Sequence, residues 1–272
     1  MGKRRLDTVL AERGLFPSRS RAAASVMAGE VRLGRGGRTA TKPGEMVDPE
    51  ELIAVREEPA FVSRGGIKLT NALDASGLDV RDRRAMDVGA STGGFTDCLL
   101  QRGAAEVIAV DVGYGILDYR LRNDPRVQVL ERTNARSLTR AELPATANGP
   151  ARPLDLAVID VSFISLGKVL GAVIGCLEQP YDVLAMVKPQ FEVGRERVGK
   201  GGVVRDPADR RAALQAVGEA AIALGAAVRG FYPSGLPGPK GNLETFAWLT
   251  GPSGDGARDA GTVRELAAAV EA

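Results

Sequence analysis

An acidic residue at the end of an apolar strand, followed by a glycine-rich bend, carries the clearest chemical signal in this sequence. Residues 87–97 read Asp-Val-Gly-Ala-Ser-Thr-Gly-Gly-Phe-Thr-Asp. A dinucleotide-binding turn needs the spacing Gly-x-Gly-x-x-Gly, which lets the backbone approach a pyrophosphate at a helix N-terminus. Here Gly89 is followed by Gly93 and Gly94, a wider bend with no obvious phosphate cradle. The Asp87 carboxylate suits a cationic group instead, and S-adenosylmethionine carries an amine and a sulfonium but no phosphate.

A second acidic residue supports the same ligand. Asp111 follows the apolar run 107–110, where a carboxylate would accept hydrogen bonds from ribose hydroxyls. Without Asp111, the glycines of this turn could instead serve only the tight packing of an ordinary strand–turn–helix unit, with no cofactor bound. Asn134, after the third strand, either meets the adenosine or caps its own loop. The predicted cofactor-binding residues are Asp87, Gly89, Ser91, Gly93, Gly94, Phe95, Asp111, Val112, Asn134 and Asp160.

Four charged residues are candidates for acid–base chemistry, namely Lys68, Asp160, Lys188 and Glu244. Taken singly, a charged residue at a strand terminus is more often a solvated end residue. The sequence contains no histidine, which excludes Ser-His-Asp and Cys-His nucleophilic chemistry and histidine-containing zinc sites. Acid–base work therefore falls to Lys, Asp, Glu or Tyr side chains, and we expect no metal site.

The composition is that of a globular protein. Its 272 residues are 44% hydrophobic, enough to fill the core of one large or two modest domains. No apolar stretch approaches the roughly 18 residues of a membrane helix, and the first residues lack the apolar core of a signal peptide. We therefore expect a cytoplasmic protein. Cys98 and Cys176 have no Cys-x-x-Cys spacing and are expected to be buried, reduced thiols.

Positive charge is concentrated at the N-terminus. Residues 1–40 hold nine basic and three acidic residues, a net charge of +6, whereas the formal charge of the whole chain is +2. This asymmetry predicts a module that faces a polyanion, and a solvated basic face is the alternative. Two short helices are predicted there, the second capped by Ser18 or Ser20 and ending at Gly29. A strand over 31–33 and an apolar run over 52–55 follow.

Residues 3–57 resemble the S4-like, or alpha-L, RNA-binding fold of a small-subunit ribosomal protein and of several RNA-modifying enzymes. The resemblance rests on Arg4-Arg5-Leu6-Asp7, Ser18-Arg19-Ser20-Arg21 and Gly29-Glu30-Val31. It departs at Gly34-Arg35, where the fold usually has Asn-Gly. It implies that the two helices present arginine side chains to RNA phosphates, here Arg4, Arg19 and Arg21. Lys42 is a further candidate for RNA binding.

Strands and helices alternate beyond Glu57-Glu58-Pro59, which we take as the domain boundary because proline disfavours helix on both sides of itself. A helix is predicted over 67–76, and a weakly amphipathic, loosely attached helix over 263–270. Seven strands with intervening helices predict an α/β fold with a doubly wound sheet, in which ligands lie at the carboxyl ends of the strands. The predicted strands are 85–88, 107–110, 127–130, 156–159, 183–187, 227–232 and 245–249.

The surroundings of the four charged residues resemble one family. They read Ser63-Arg64-Gly65-Gly66-Ile67-Lys68-Leu69, Asp160-Val161-Ser162-Phe163-Ile164-Ser165, Val187-Lys188-Pro189-Gln190-Phe191 and Gly241-Asn242-Leu243-Glu244. From about residue 3 to residue 250 the chain resembles the TlyA, or hemolysin A, family of rRNA 2′-O-methyltransferases, whose catalytic domain is similar to the FtsJ/RrmJ type. The segment Pro59-Ala60-Phe61-Val62 differs from the family, which often has another aromatic sequence before Val-Ser-Arg-Gly.

The resemblance implies an S-adenosylmethionine-dependent enzyme that methylates cytidine ribose in small- and large-subunit rRNA, or in large-subunit rRNA alone. It implies a Rossmann-like methyltransferase domain over 63–272, joined by a linker over 59–62 to an RNA-binding domain over 1–58. The expected partners are rRNA or ribosomal subunits, without stable membrane insertion. The implied catalytic tetrad is Lys68, Asp160, Lys188 and Glu244.

The chemistry of such a reaction suits these residue types. A ribose 2′-hydroxyl is a poor acid, so methyl transfer needs an oriented hydroxyl and a nearby proton acceptor. A lysine can accept the proton where neighbouring cations and partial burial favour its neutral form. Lys188 is the candidate acceptor, and Lys68 would assist it and steer the 2′-oxygen. Asp160 and Glu244 would position the two ammonium groups.

Other features allow two interpretations. Arg64, Arg132 and Arg136 flank the predicted site and are candidates for RNA phosphate binding, although surface arginines are common. Residues 199–202 form either a mobile loop over the substrate or a plain connection. Two other functions stay open: a membrane-active protein, suggested only by the family's older name, and a noncatalytic ribosome-binding protein. Liposome leakage would support the former, and cofactor binding without turnover the latter.

Overall fold

The chain divides into two compact units, Met1–Pro59 and Ala60–Ala272, in a computed structural model of the protein. The structure describes residues 2–56, 59–147, 151–252 and 255–270. Glu57 and Glu58, at the predicted boundary, lie outside the described residues, and the limits of the two domains and their linker stay a prediction. Within the described ranges, no helix is both long enough and apolar enough to cross a bilayer.

The N-terminal unit combines two helices with short antiparallel strands. Its elements are β1 (Arg4–Arg5), α1 (Leu6–Glu12), α2 (Arg19–Met27), β2 (Val31–Leu33), β3 (Arg38–Thr39), β4 (Met46–Val47) and β5 (Ile53–Val55). Strand β2 pairs with both β3 and β5, and β1 pairs with β4. Ser18 caps α2 by accepting a hydrogen bond from the Arg21 amide, which decides between the two predicted caps. Leu6, Leu10 and Val26 are among its core residues.

A seven-stranded sheet forms the centre of the second unit. Its strands are β6 (Arg84–Val88), β7 (Glu106–Val110), β8 (Val127–Leu130), β9 (Leu154–Ile159), β10 (Asp182–Val187), β11 (Ala227–Pro233) and β12 (Thr245–Thr250). Their order is β11-β12-β10-β9-β6-β7-β8. Only β12 runs antiparallel to its neighbours, β10 and β11, among these described strands. All seven predicted strands are confirmed, with limits shifted by two residues at most.

Helices cover both faces of the sheet, so the predicted doubly wound α/β fold is confirmed. They are α3 (Arg64–Ser76), α4 (Gly94–Gln101), α5 (Tyr119–Arg122), α6 (Leu170–Cys176), α7 (Pro189–Glu192), α8 (Pro207–Ala223) and α9 (Ala260–Val270). Neighbouring residues of a strand point to opposite faces, so Met86 packs in the core with α6, α8 and α9, and Ala85 packs with α3 and α4. The prediction of a loosely attached α9 is wrong, because Val263 and Ala267 are fully buried.

Charged residues collect at the carboxyl edge of this sheet. Asp87 is the second-last residue of β6, and Asp111, Asp160 and Lys188 directly follow β7, β9 and β10. Parallel strands end at the same edge, so these residues share one side of the sheet. Glu244 directly precedes β12, and it reaches the same edge because that strand runs the opposite way, with its first residue opposite the last of β10.

Candidate active site

The carboxyl edge of the sheet borders a cavity of about 610 Å³. The structure brings the four predicted catalytic residues together in its lining: Lys68, Asp160, Lys188 and Glu244. They come from α3 and from three neighbouring strands of the sheet. The topology therefore assembles groups that are far apart in the sequence.

Lys188 and Asp160 form an ion pair, with 2.5 Å between Lys188 Nζ and Asp160 Oδ1. Lys188 Nζ also donates a hydrogen bond to Ser162 Oγ at 2.9 Å. Because β9 and β10 are paired in parallel, their register brings the residues after them close together. The Lys188 and Asp160 side chains remain 11% and 27% exposed, so the pair is accessible from the cavity.

A second, deeper ion pair joins Lys68 to Glu244. Their side chains are 8% and 2% exposed. Lys68 lies near the start of α3, where Ser63 Oγ accepts a hydrogen bond from the Gly65 amide at 3.3 Å and caps the helix. Two buried charges are costly to desolvate and are tolerated when they are closely paired. Each of these residues therefore depends on the other.

Asp87, at the start of the glycine turn, is fully buried. Its Oδ2 accepts hydrogen bonds from the Thr96 amide at 2.9 Å and the Thr96 hydroxyl at 2.7 Å. Its Oδ1 has no hydrogen-bond partner among the described residues. Gly89 has a φ of +86°, and any Cβ there would collide with the Asp160 carbonyl. Glycine is thus required where the ends of β6 and β9 meet, next to an unpaired carboxylate oxygen.

Burial raises the pKa of the Asp87 carboxyl to about 7; the Thr96 hydrogen bonds oppose this rise, and the charges of Asp160 and Asp111 add to it. In the unfolded chain an aspartate releases its proton near pH 4. Between these values the folded protein holds a proton that the unfolded chain has lost. The free energy of unfolding should therefore fall as the pH rises from about 4 to about 7, by on the order of 4 kcal/mol from this group.

The variant Asp87→Asn should lose that part of the pH dependence, since its side chain does not titrate. Urea unfolding at pH 5, 6, 7 and 8, followed by circular dichroism, measures the free energy of unfolding of each protein. Asp82→Asn, at an exposed position, is the matched control and should keep the slope of the parent. An Asp87→Asn protein with the parent's slope would show that this carboxyl holds no proton near neutral pH.

Six of the ten predicted cofactor-binding residues line the cavity: Asp87, Gly89, Ser91, Gly94, Phe95 and Asp160. Asp111 lies next to this group, because its two carboxylate oxygens accept hydrogen bonds from the amides of Ser91 and Gly113, each at 2.7 Å. Sequence reasoning assigned Asp111 to ribose hydroxyls and missed this support of the backbone. A carboxylate oxygen has more than one lone pair, so both roles are compatible.

The other three predicted cofactor residues lie outside the cavity lining. Gly93, with a φ of +96°, packs so closely on Leu121 that a Cβ would collide. Val112 is 69% exposed. Asn134 Oδ1 accepts a hydrogen bond from the Arg136 amide at 3.1 Å, which is the loop-capping role that the sequence left open.

The predicted RNA-binding residues of the N-terminal unit are all exposed: Arg4, Arg19, Arg21 and Lys42. Arg4 pairs with Glu12 at 2.6 Å, and Arg19 lies 3.5 Å from the Asp7 carboxylate. The prediction that Arg4 projects from a helix is wrong, because Arg4 belongs to β1 and α1 begins only at Leu6. A strand of two residues has no periodicity by which the sequence could reveal it.

Three further arginines were predicted to contact RNA beside the site. Arg64 lines the cavity at the start of α3. Arg132 lies over the ring of Tyr114, 4.3 Å from the ring centre, and is exposed like Arg136. Among the described residues that line the cavity, Arg64 is therefore present, whereas Arg132 and Arg136 are not.

Asn242 supports the cavity and was not singled out from the sequence. Its Oδ1 accepts a hydrogen bond from the Val204 amide at 2.9 Å, and its Nδ2 donates one to the Gly202 carbonyl at 2.8 Å. Gly202 and Val204 are thus fastened beside the cavity, which Gly202 lines. The sequence signal that could have identified Asn242 is its position in the motif Gly-Asn-Leu-Glu, two residues before Glu244.

Glu192 is a second supporting residue that sequence reasoning missed. Its carboxylate accepts hydrogen bonds from the Ser165 hydroxyl at 2.7 Å and the Leu166 amide at 2.8 Å. It therefore ties the segment after β10 to the segment after β9, the two segments that carry Lys188 and Asp160. Burial raises the pKa of Glu192. The sequence offered one signal for Glu192, its spacing of about one helical turn from Lys188.

Comparison with known proteins agrees with this architecture. Residues 61–250 match the family model of FtsJ-like methyltransferases, and residues 4–53 match that of the S4 domain. The 16S/23S rRNA (cytidine-2′-O)-methyltransferase TlyA of Mycobacterium tuberculosis is 51% identical over 247 residues, which cover 90% of this chain and 89% of that protein. The 23S rRNA (cytidine-2′-O)-methyltransferase TlyA of Campylobacter jejuni is 32% identical, with 68% and 69% covered.

A solved structure from Streptococcus thermophilus, provisionally described as a hemolysin, shares the fold of the whole chain. It is 39% identical with a TM-score of 0.71, and the match covers 99% of this chain and 96% of that one. The family model of FtsJ-like methyltransferases covers more than half of the chain, and the Mycobacterium tuberculosis relative matches it over most of its length. The protein belongs to the FtsJ-like methyltransferases and, among them, to the TlyA family.

Proposed function

We propose that the protein transfers the methyl group of S-adenosylmethionine to the 2′-hydroxyl of a cytidine in ribosomal RNA of the small subunit, the large subunit or both. The observation that carries this proposal is the pair of lysine–carboxylate contacts in one cavity, Lys188 with Asp160 and Lys68 with Glu244. The names of the TlyA relatives support the same reaction. We place the enzyme in the cytoplasm, where ribosomal subunits are found.

The residues around the glycine turn fit the cofactor. The unpaired Oδ1 of Asp87 suits an ammonium group, and Asp111 suits ribose hydroxyls. The glycine spacing of the turn suits a ligand without phosphates. When bound, S-adenosylmethionine supplies an electrophilic methyl group on its sulfonium.

The two ion pairs have different tasks in this proposal. Lys188, held by Asp160 and Ser162, accepts the proton of the 2′-hydroxyl after its ammonium has released a proton to solvent, and it becomes an ammonium again. Lys68, held by Glu244, places a fixed positive charge on the same cavity wall and stabilises the oxygen as its proton leaves. Because both lysines are anchored before the substrate arrives, little reorganisation is needed.

The N-terminal unit supplies RNA affinity in this proposal. Its exposed basic side chains suit phosphate contacts, which would make binding weaker as the salt concentration rises. The proposed catalytic groups line a cavity of about 610 Å³, which suits a nucleotide that is unpaired or flipped out better than one stacked in a duplex.

Labelled methyl transfer to small subunits, large subunits and free rRNA, all lacking the modification, tests the proposal. We expect label in 2′-O-methylcytidine after digestion of the RNA to nucleosides. Label in a base, or in another nucleoside, would contradict the assigned reaction. Binding of S-adenosylmethionine without transfer to any of these RNAs would instead favour a noncatalytic ribosome-binding protein.

A further inference from the structure

One residue of the cavity wall has a buried polar atom that the proposed methyl transfer does not use. Gln190, two residues after Lys188, lines the cavity. Its Oε1 is buried and has no hydrogen-bond partner within the described chain. An unpaired buried acceptor costs about 1–3 kcal/mol, and such atoms in native proteins call for a specific explanation. A ligand that brings a hydrogen-bond donor would provide one.

The backbone at Gln190 is held in place. Pro189 begins α7, and the Phe191 amide donates a hydrogen bond to the Lys188 carbonyl at 2.9 Å. At the end of this short helix, Glu192 is fixed to the segment after β9 by its bonds to Ser165 and Leu166. The Gln190 side chain therefore starts from a defined position next to the proposed proton acceptor.

The surroundings of Gln190 suit a flat ring. The rings of Phe163 and Phe191 lie 5.4 Å apart, and both residues line the same cavity as Gln190. This part of the wall thus combines aromatic surface with the unpaired Oε1 of Gln190. Such a surface suits a heteroaromatic ring that stacks on the aromatic side chains and carries a hydrogen-bond donor at its edge.

The two pyrimidines of RNA differ at that edge. Cytosine has an amino group at position 4, which donates hydrogen bonds, whereas uracil has a carbonyl oxygen there, which only accepts them. The buried acceptor of Gln190 would be satisfied by cytosine. With uracil, Oε1 would face a second acceptor, and the amide would have to turn by half a rotation to donate from Nε2 instead.

We propose that Gln190 Oε1 accepts a hydrogen bond from the 4-amino group of the target cytosine and thereby selects cytidine over uridine. This inference rests on the proposed ribose methylation and adds the residue that reads the base. Gln190 has no part in moving the proton, so its replacement should change the choice of nucleotide more than the chemistry of transfer.

The test compares kcat/KM for methyl transfer to rRNA that carries cytidine or uridine at the mapped target position. We expect the parent enzyme to prefer cytidine by about tenfold or more, the value of one hydrogen bond to a buried acceptor. Gln190→Met, which has no acceptor oxygen, should bring the ratio close to one. Gln190→Glu retains an acceptor and should keep the preference for cytidine.

Gln128→Met is the matched control, because Gln128 also has a buried Oε1 without a partner among the described residues, but lies in β8 outside the cavity lining. It should leave the ratio unchanged. A pyrimidin-2-one nucleotide at the target, which lacks the amino group, should lower kcat/KM for the parent enzyme as uridine does. This last substrate tests the contact even if a Gln190 variant does not fold.

The outcomes separate this inference from the proposed function. If the parent enzyme methylates cytidine and uridine equally well, or if Gln190→Met keeps the parent's ratio, Gln190 does not read the base although the methyltransferase activity stands. If the pyrimidin-2-one is methylated as well as cytidine, the amino group is not recognised. Failure of the parent enzyme to methylate any ribose would overturn both proposals.

Discussion

Replacing Lys188 with methionine should lower the kcat of methyl transfer to rRNA by about 10²- to 10⁴-fold, the usual contribution of a positioned acid–base group. Methionine keeps much of the length of the side chain but cannot take the proton of the 2′-hydroxyl. Lys188→Arg should not restore the activity, because a guanidinium stays protonated in proteins. Single-turnover transfer of labelled methyl groups to rRNA measures the effect on the chemical step.

The fold should survive this substitution. Asp160 loses its ion-pair partner, but its side chain is 27% exposed, so the loss should be smaller than for a fully buried pair, on the order of 1–2 kcal/mol. Stabilisation by S-adenosylmethionine in a thermal unfolding experiment should therefore match that of the parent chain. Lys168→Met, at an exposed lysine outside the cavity lining, is the control and should keep full activity. Near-normal transfer by Lys188→Met would remove this lysine from the mechanism.

The strands and two of the four tetrad positions were predictable from local patterns. Short apolar runs bounded by turn residues mark the buried strands, and the charged residues that follow them must lie at the carboxyl edge of a doubly wound sheet. Asp160 and Lys188 are of this kind. Glu244 is different, because only the reversed direction of β12 brings it to that edge. No local pattern encodes that reversal, and the resemblance to a family supplied the assignment.

Features that depend on long-range packing were missed or wrongly predicted. The tight attachment of α9 depends on Gly218, where a Cβ would collide with Val263, and nothing in the amphipathic pattern of the helix shows this. Asp111 was predicted to bind ribose, but the sequence could not show that its oxygens also hold the backbone of the glycine turn. Which buried polar atoms lack partners, as at Gln190, is likewise visible only in three dimensions.

Lys68→Met should lower the free energy of unfolding of the chain by about 3–5 kcal/mol, because it leaves a buried carboxylate without its partner. Glu244 is only 2% exposed and cannot recover the lost interaction from water. The unfolding temperature should fall by on the order of 10 °C for a unit of this size. This loss is larger than that for Lys188→Met, since the Lys68–Glu244 pair is the more deeply buried of the two.

The double variant Lys68→Met/Glu244→Gln separates stability from catalysis. Removing both charges should restore most of the lost unfolding free energy, whereas methyl transfer should stay at least about 10²-fold below the parent because the positive charge beside the 2′-oxygen is absent. Arg84 and Glu106 provide the matched control, a buried pair 2.6 Å apart outside the cavity lining. Arg84→Met/Glu106→Gln should recover stability relative to Arg84→Met and should keep the methyl-transfer activity of the parent. If the Lys68/Glu244 double variant also regains methyl transfer, that pair supports only the fold, and the charge that assists the reaction must come from Lys188 alone.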